Sequence, residues 1–365
     1  MDDKRKPEWV PDGSGAEYAS MIVSGKKPAS ASLTHSQKAR QEPRYDLKAL
    51  FEGVKASERS MLSKAITLIE SNSVSHFEKG QELLKQLLPL SGSSIRIGIT
   101  GVPGVGKSTF IENFGLSLIE QGFQVAVLAI DPSSSISKGS ILGDKTRMEL
   151  LSRHPLSFIR PSPSAGVLGG VARKTRETII LCEAAGYDVI LIETVGVGQS
   201  ETTVRSMVDF FLLMQLAGAG DELQGIKKGI IELADLIVVN KADGDNIQRA
   251  ELAKQEYNNA LHYIRHATEA WQTVAVTCSA QTGAGIHEIW EIIQSFRVAT
   301  RKSGAFQKRR ISQNTQWFDT LVNEFVLHSF YQRDKIKEAL PDFRRKVGSG
   351  ELPVAMAVTE LLKHY

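Results

Sequence analysis

The sequence predicts an α/β fold, a mostly parallel β-sheet covered by helices on both faces, with helical extensions at the N- and C-terminal ends. Three observations carry that expectation. Between residue 95 and about residue 298, short apolar runs alternate with stretches of helical period. The runs are nearly continuous rather than polar on every second residue, as strands buried on both faces of a parallel sheet require. The residues able to do chemistry fall just after those runs, where open α/β sheets hold their ligands.

In chain order, residues 1–44 hold four of the twelve prolines among Ser, Gly and Lys, and read as a flexible or loosely docked arm. Residues 45–92 form a helical segment: Leu47, Leu50, Phe51 and Val54, then Met61, Leu62, Ala65, Ile66 and Ile69, share helical faces. A third helix carries Leu83, Leu84, Leu87 and Leu88 and is stopped by Pro89. Residues 93–300 form the core domain, with strands expected at 95–100, 124–130, 156–160, 189–193, 209–215, 236–240 and 273–278. Residues 301–365 read as a helical tail without strands. Its two apolar stripes, one with Trp317, Phe318, Leu321, Val322, Phe325 and Val326 and one with Ala355, Val358, Leu361 and Leu362, mark two helices. They either fold back on the core or form a dimerisation arm, and the arm is the favoured reading.

Composition narrows the class. The chain has 365 residues, 42% hydrophobic and 23% charged, which suits a water-soluble globular protein. A formal charge of +3 with dispersed basic residues leaves no nucleic-acid footprint. No apolar run approaches the roughly 20 residues of a membrane span, and the charged start at Met1–Lys6 has no apolar signal region. Cys182 and Cys278 lie far apart in apolar surroundings, which fits a reduced compartment, so a cytoplasmic location is expected.

The most informative stretch is Gly101-Val102-Pro103-Gly104-Val105-Gly106-Lys107-Ser108-Thr109. It fits G-x-x-x-x-G-K-[ST] and lies between an expected strand and an expected helix, so its backbone N–H groups would converge on a phosphate chain. Lys107 would reach the β- and γ-phosphates, Ser108 would ligate Mg²⁺, and Thr109 would meet the α-phosphate. The fold is therefore that of a P-loop NTPase.

Base choice points to guanine. Asn240-Lys241-Ala242-Asp243 ends an apolar strand, and a carboxylate at Asp243 accepts from both guanine N1–H and the exocyclic amine, a donor pair adenine lacks. The Lys241 stem would lie along the base, and backbone N–H groups of Ser279-Ala280-Gln281 would meet guanine O6. Asp131 and Glu193 each end a strand and can hold Mg²⁺ and position water. Asp131-Pro132 also reads as a plain turn, and Glu193 as a helix-capping residue. Gly196 and Gly198 give a γ-phosphate sensor its backbone freedom, with Val197 and Gln199 in the same turn. His262 and His266 have i,i+4 spacing, but a solvated helix face is preferred to a metal pair. Arg147, Arg173 and Arg176 are expected in surface ion pairs rather than as phosphate ligands.

With these motifs placed, the chain resembles the MeaB/ArgK family from about residue 45 to its end. The resemblance rests on residues 98–112, 129–134 and 193–201, on Asn240-Lys241-Ala242-Asp243, and on the helical tail with Trp317. It implies a homodimeric GTPase that uses GTP, GDP and Mg²⁺ and chaperones a cobalamin-dependent acyl-CoA mutase. Adenosylcobalamin belongs to that mutase, whose loading the GTPase gates and which it protects. The resemblance also implies that Asp131 and Asp144 lie in the first switch, Glu193 in the Walker B position, and residues 216–227 in an additional switch. Lys107, Asp131 and Glu193 are then the expected catalytic residues. An ATP-dependent kinase of a basic amino-acid transport system and a metal-insertion GTPase are the alternatives.

Overall fold

Seven apolar runs pair into one parallel sheet: β1 (Ile95–Gly101), β2 (Val125–Ile130), β3 (Ser157–Ser162), β4 (Val189–Thr194), β5 (Phe210–Leu216), β6 (Leu236–Asn240) and β7 (Val274–Thr277). The order is β3-β2-β4-β1-β5-β6-β7, and every neighbouring pair is parallel. All seven expected strands are present, with ends shifted by a residue or two. The computed structural model describes residues 45–130, 148–162, 168–194, 200–218, 228–264 and 266–364. The expectations for residues 1–44, Asp131, Asp144, Arg147, residues 195–199 and residues 219–227 lie outside the described residues.

The helices, in chain order, are α1 (Leu47–Lys55), α2 (Arg59–Glu70), α3 (Val74–Leu87), α4 (Lys107–Glu120), α5 (Glu149–Arg153), α6 (Leu168–Ala184), α7 (Ser200–Arg205), α8 (Lys228–Ile231), α9 (Ile247–Leu261), α10 (Ile286–Ser303), α11 (Ala305–Gln332), α12 (Asp334–Gly348) and α13 (Val354–Leu362). Local chemistry sets several ends. Asp46 Oδ1 accepts from Lys48 N and Ala49 N at 3.0 and 3.1 Å, so α1 begins there. α10 closes on Gly304, whose left-handed φ of 80° lets the chain turn directly into α11.

Side chains alternate across the sheet and fill two cores. Ile95, Ile97 and Ile99 of β1 face Phe110 and Phe114 of α4 and Ile293 and Phe296 of α10. On the other side, Ile190, Ile192, Phe211 and Leu213 meet α6, together with Leu62, Ile66, Leu83 and Leu87 of the N-terminal helices. Those helices therefore belong to the sheet's own core, and residues 45–365 form one compact unit.

The N-terminal edge of the sheet carries a buried ionic layer. Glu183 of α6 accepts from Arg96 Nε and Nη2 at 2.9 Å, from Gly92 N at 2.9 Å and from Ser94 Oγ at 2.6 Å. Arg310 of α11 donates to Asp209 Oδ1 and Oδ2 at 2.7 and 2.6 Å and to the carbonyls of Gly92 and Ser94. This bidentate pair seats the root of α11 beneath β5.

The tail holds three helices where the apolar stripes marked two. The extra one, α12, has Ile336, Leu340, Phe343 and Val347 at helical spacing, but charged residues outnumber them and Pro341 interrupts them. Its one buried residue is Ile336. The root of α11 buries Phe306, Arg310 and Gln313, and farther along Phe318, Val322, Phe325 and Val326 are exposed.

Candidate functional site

Parallel register brings the C-terminal ends of four strands level. Ile99 pairs with Glu193, Gly101 with Met214, and Leu216 with Asn240. β1 passes into the glycine loop at Gly101, where an added Cβ would lie 2.4 Å from the Met214 carbonyl oxygen of β5. Gly106 then takes φ 95°, and a Cβ there would come within 2.8 Å of Asn240 Nδ2. Both glycines thus permit a close backbone approach that any side chain would block.

Gly106 is the N-cap of α4 and no side chain caps this helix start. Its first N–H groups and the positive end of its dipole are offered to an anion. Lys107, the first helical residue, is buried, and its Nζ donates to the carbonyls of Gly101 and Val102 at 2.9 and 3.3 Å. Burial lowers the Lys107 pKa, while the Glu193 carboxylate pulls it back up. An ammonium held by two neutral carbonyls beside an uncapped helix start is poised to exchange them for phosphate oxygens.

Glu193 ends β4 and is buried at the loop, where its Oε1 accepts from Ser108 Oγ at 3.2 Å. Next to it, Thr194 Oγ1 donates to Thr100 Oγ1 at 2.8 Å, locking β4 to β1. A hydroxyl and a carboxylate at hydrogen-bond distance form a hard-oxygen donor set of the kind Mg²⁺ takes. Among the described residues no group of three His, Cys, Asp or Glu side chains could hold a metal alone. A cation here would complete its shell with phosphate oxygens and water.

The residues expected to meet the base are hydrogen-bonded to the same loop. Asn240 is buried: Nδ2 donates to Val105 O at 2.7 Å, and Oδ1 accepts from Ala280 N at 2.9 Å. Ser279 Oγ donates to Asp243 Oδ2 at 2.5 Å and accepts from Thr282 N at 3.1 Å, which orients the Asp243 carboxylate. Lys241 adopts a left-handed φ of 61° that swings the chain between Asn240 and Asp243. Gln281 is exposed.

Two features were not legible in the motifs. The Ala280 N–H, expected on guanine O6, is engaged by Asn240, so a base would have to share it. Asn113, two turns into α4, donates Nδ2 to Ala280 O at 2.7 Å and steadies the Ser279–Gln281 turn from below. Its only sequence signal is a lone amide within α4, with Thr109 and Ser117 one turn to either side.

Other candidates resolve differently. α9 ends at Leu261, so His262 and His266 do not share a helix, and His266 Nδ1 accepts from Thr273 N. Cys182 and Cys278 are buried in the core; burial pushes the Cys278 thiol up to about 12 and Cys182 higher still. The surface ion pairs expected for Arg173 and Arg176 do not form among the described residues. Arg173 lies over the Phe77 ring at 5.1 Å, and Arg176 donates to Ser206 O and Oγ and lies over Trp317 at 5.4 Å. Aromatic neighbours supplied by distant helices drew both guanidiniums inward.

Comparison with known proteins agrees with this geometry. Residues 62–335 match the family model described as "Methylmalonyl Co-A mutase-associated GTPase MeaB". The chain is 50% identical over 281 residues to GTPase ArgK of Escherichia coli, covering 77% of this chain and 85% of that protein. It is 47% identical over 326 residues to the mouse methylmalonic aciduria type A homolog, mitochondrial, covering 87% and 79% respectively. Among solved structures, one titled as a LAO/AO transport system kinase superposes with TM-score 0.71 at 39% identity, over 87% of this chain and 96% of that one.

Proposed function

The chain belongs to the MeaB family of methylmalonyl-CoA mutase-associated GTPases, and on that premise we propose that its GTP hydrolysis is a switch serving a cobalamin-dependent acyl-CoA mutase. The observation that carries the nucleotide reading is Asn240, which ties the Lys107 loop at Val105 to the base-side turn at Ala280. Phosphate and base determinants are one hydrogen-bonded unit, so a guanine nucleotide spans a site already built for it.

In this reading the N–H groups of Gly101–Thr109 surround the phosphates, and Lys107 leaves its two carbonyls for the β,γ-bridge. Asp243 takes guanine N1–H and the 2-amine, and the Lys241 stem lies along the base. Ser108 and Glu193, with Asp131 and Asp144, would hold Mg²⁺, which supplies charge neutralisation at the phosphates when bound. Among the described residues no arginine hydrogen-bonds to the loop. A finger in that role is worth roughly 10³–10⁵ in rate, so slow intrinsic turnover raised by the partner follows.

The assembly we propose is a homodimer formed through the exposed apolar stripe of α11, where Phe318 is 65% and Phe325 55% exposed. The domain limits 45–92, 93–300 and 301–365 serve as working boundaries for helical segment, GTPase core and arm. No helix among the described residues is long and apolar enough to cross a membrane. The cytoplasm and a mutase, rather than a membrane or nucleic acid, complete the proposal.

The test measures phosphate release from GTP by the full chain, alone and with a methylmalonyl-CoA mutase from the same source. Slow turnover that the mutase accelerates supports the reading. Full turnover without partner, or no response to it, removes the switch function. Tighter binding of ATP than GTP would restore the transport-kinase alternative, which Asp243 opposes.

A further inference from the structure

A cavity of about 370 Å³ opens at the N-terminal edge of the sheet, at the opposite end of the strands from the glycine loop. It lies between the end of α3, α6 and the root of α11. Its walls mix three arginines, Arg96, Arg176 and Arg310, with the apolar side chains of Ile179 and Met207 and the indole of Trp317. The volume falls in the range of small-molecule sites, roughly 300–1,000 Å³.

The charges do not balance. Arg96 is paired with Glu183, Arg310 with Asp209, and Arg205 and Arg309 share Asp235. Of the three arginines that line the cavity, Arg96 and Arg310 are thus paired and Arg176 is left over. Arg176 is the one without a carboxylate within ion-pair distance among the described residues. Its Nη2 bonds only neutral oxygens, Ser206 O at 2.6 Å and Ser206 Oγ at 2.8 Å. Burial, with the Arg96 charge beside it, pulls the Arg176 pKa down to about 10. A second donor waits in the same wall: Trp317 Nε1 is buried with no acceptor among the described residues. Buried donors left without acceptors are costly, and a lined cavity that collects them is built for an acceptor.

We propose that this cavity binds a small organic anion, a carboxylate or phosphate on a compact apolar body, held by Arg176 and the Trp317 indole N–H. Arg176 supplies the uncompensated charge, and Ile179 and Met207 receive the apolar part. Asn314, exposed on α11 at the cavity lining, marks its mouth. Ser206 directly follows α7, the helix that comes next after β4 and Glu193, so the site adjoins a segment leading from the nucleotide end.

The test titrates phenyl phosphate and benzoate into the full chain saturated with GDP and Mg²⁺, read by calorimetry and by indole fluorescence. Saturable one-to-one binding of either probe is expected, and the tighter of the two shows whether phosphate or carboxylate is preferred. Arg176→Met and Asn314→Asp should each weaken binding about tenfold or more, by losing a charge-assisted bond or adding like charge. Asn314 is exposed, so that variant folds even if Arg176→Met does not. Lys107→Ala, titrated without nucleotide, should still bind the probe one-to-one, which separates this cavity from the glycine loop. Absence of saturable binding at millimolar probe overturns the proposal. So does binding unaffected in both cavity variants, or binding lost in Lys107→Ala.

Discussion

Replacing Asp243 by Asn should convert a guanine site into a xanthine site, and the structure sets the size of the effect. Asp243 Oδ2 accepts a 2.5 Å hydrogen bond from Ser279 Oγ. In Asp243→Asn the amide oxygen keeps that bond, which turns the NH₂ group toward the base. The 2-amine would then face a donor, and guanine N1–H a neutral amide oxygen in place of a carboxylate. Each hydrogen bond to a charged group contributes about 1.5–3 kcal/mol. Losing both removes roughly 3–6 kcal/mol, or roughly 10²- to 10⁴-fold in affinity at 1.4 kcal/mol per decade. Xanthine carries an acceptor in place of the 2-amine, so xanthosine nucleotides should recover much of this. Competition against a fluorescent guanine nucleotide measures both affinities, and thermal melting should be unchanged because the substitution is isosteric. GTP affinity within threefold of the parent would refute the assigned base contact.

Lys107→Ala should abolish detectable GTP binding in the same competition assay while leaving the melting temperature nearly unchanged, since its Nζ hydrogen-bonds to two neutral carbonyls among the described residues. Arg310→Met should destabilise by about 3–5 kcal/mol, because Asp209 is left buried without its bidentate partner; denaturant titration measures it, and a loss under 1 kcal/mol contradicts a structural role for the pair. Glu177 is buried with its pKa raised, chiefly by desolvation, and its charge is only partly offset by Arg173, Gln81 and Lys174. A folded pKa above the unfolded one means the group favours folding least when ionised, so stability falls as pH rises through the unfolded value toward the folded one. The melting temperature of Glu177→Gln relative to the parent should therefore be more favourable at pH 7 than at pH 4, and the reverse order would show the carboxylate to be stabilising.

Much of this protein was legible along the chain because the relevant physics is local. Strands buried on both faces must be continuously apolar, so all seven could be read and even their order of appearance was right. A phosphate loop needs glycines where a neighbour leaves no room for a Cβ, and Gly101 and Gly106 stand at such positions against the Met214 carbonyl and the Asn240 side chain. A carboxylate after an apolar strand marked Asp243 as the proposed base contact, and the structure holds it by Ser279. The third tail helix was missed because its apolar stripe is sparse among charges.

What only the tertiary structure decided is which polar group meets which. Asn240 bridges the loop and the Ala280 turn across 135 and 40 residues, and Asn113 reaches Ala280 across 167. Arg310 finds Asp209 a hundred and one residues away, and Arg176 goes inward to Ser206 and Trp317 instead of to a surface carboxylate. Nothing local selects among the chain's 44 basic and 41 acidic residues. Burial selects them, since a polar group taken out of water must be satisfied by whatever the fold sets beside it. Sequence alone determined the engine's parts; packing determined how they are joined, and left a cationic cavity at the far end of the sheet.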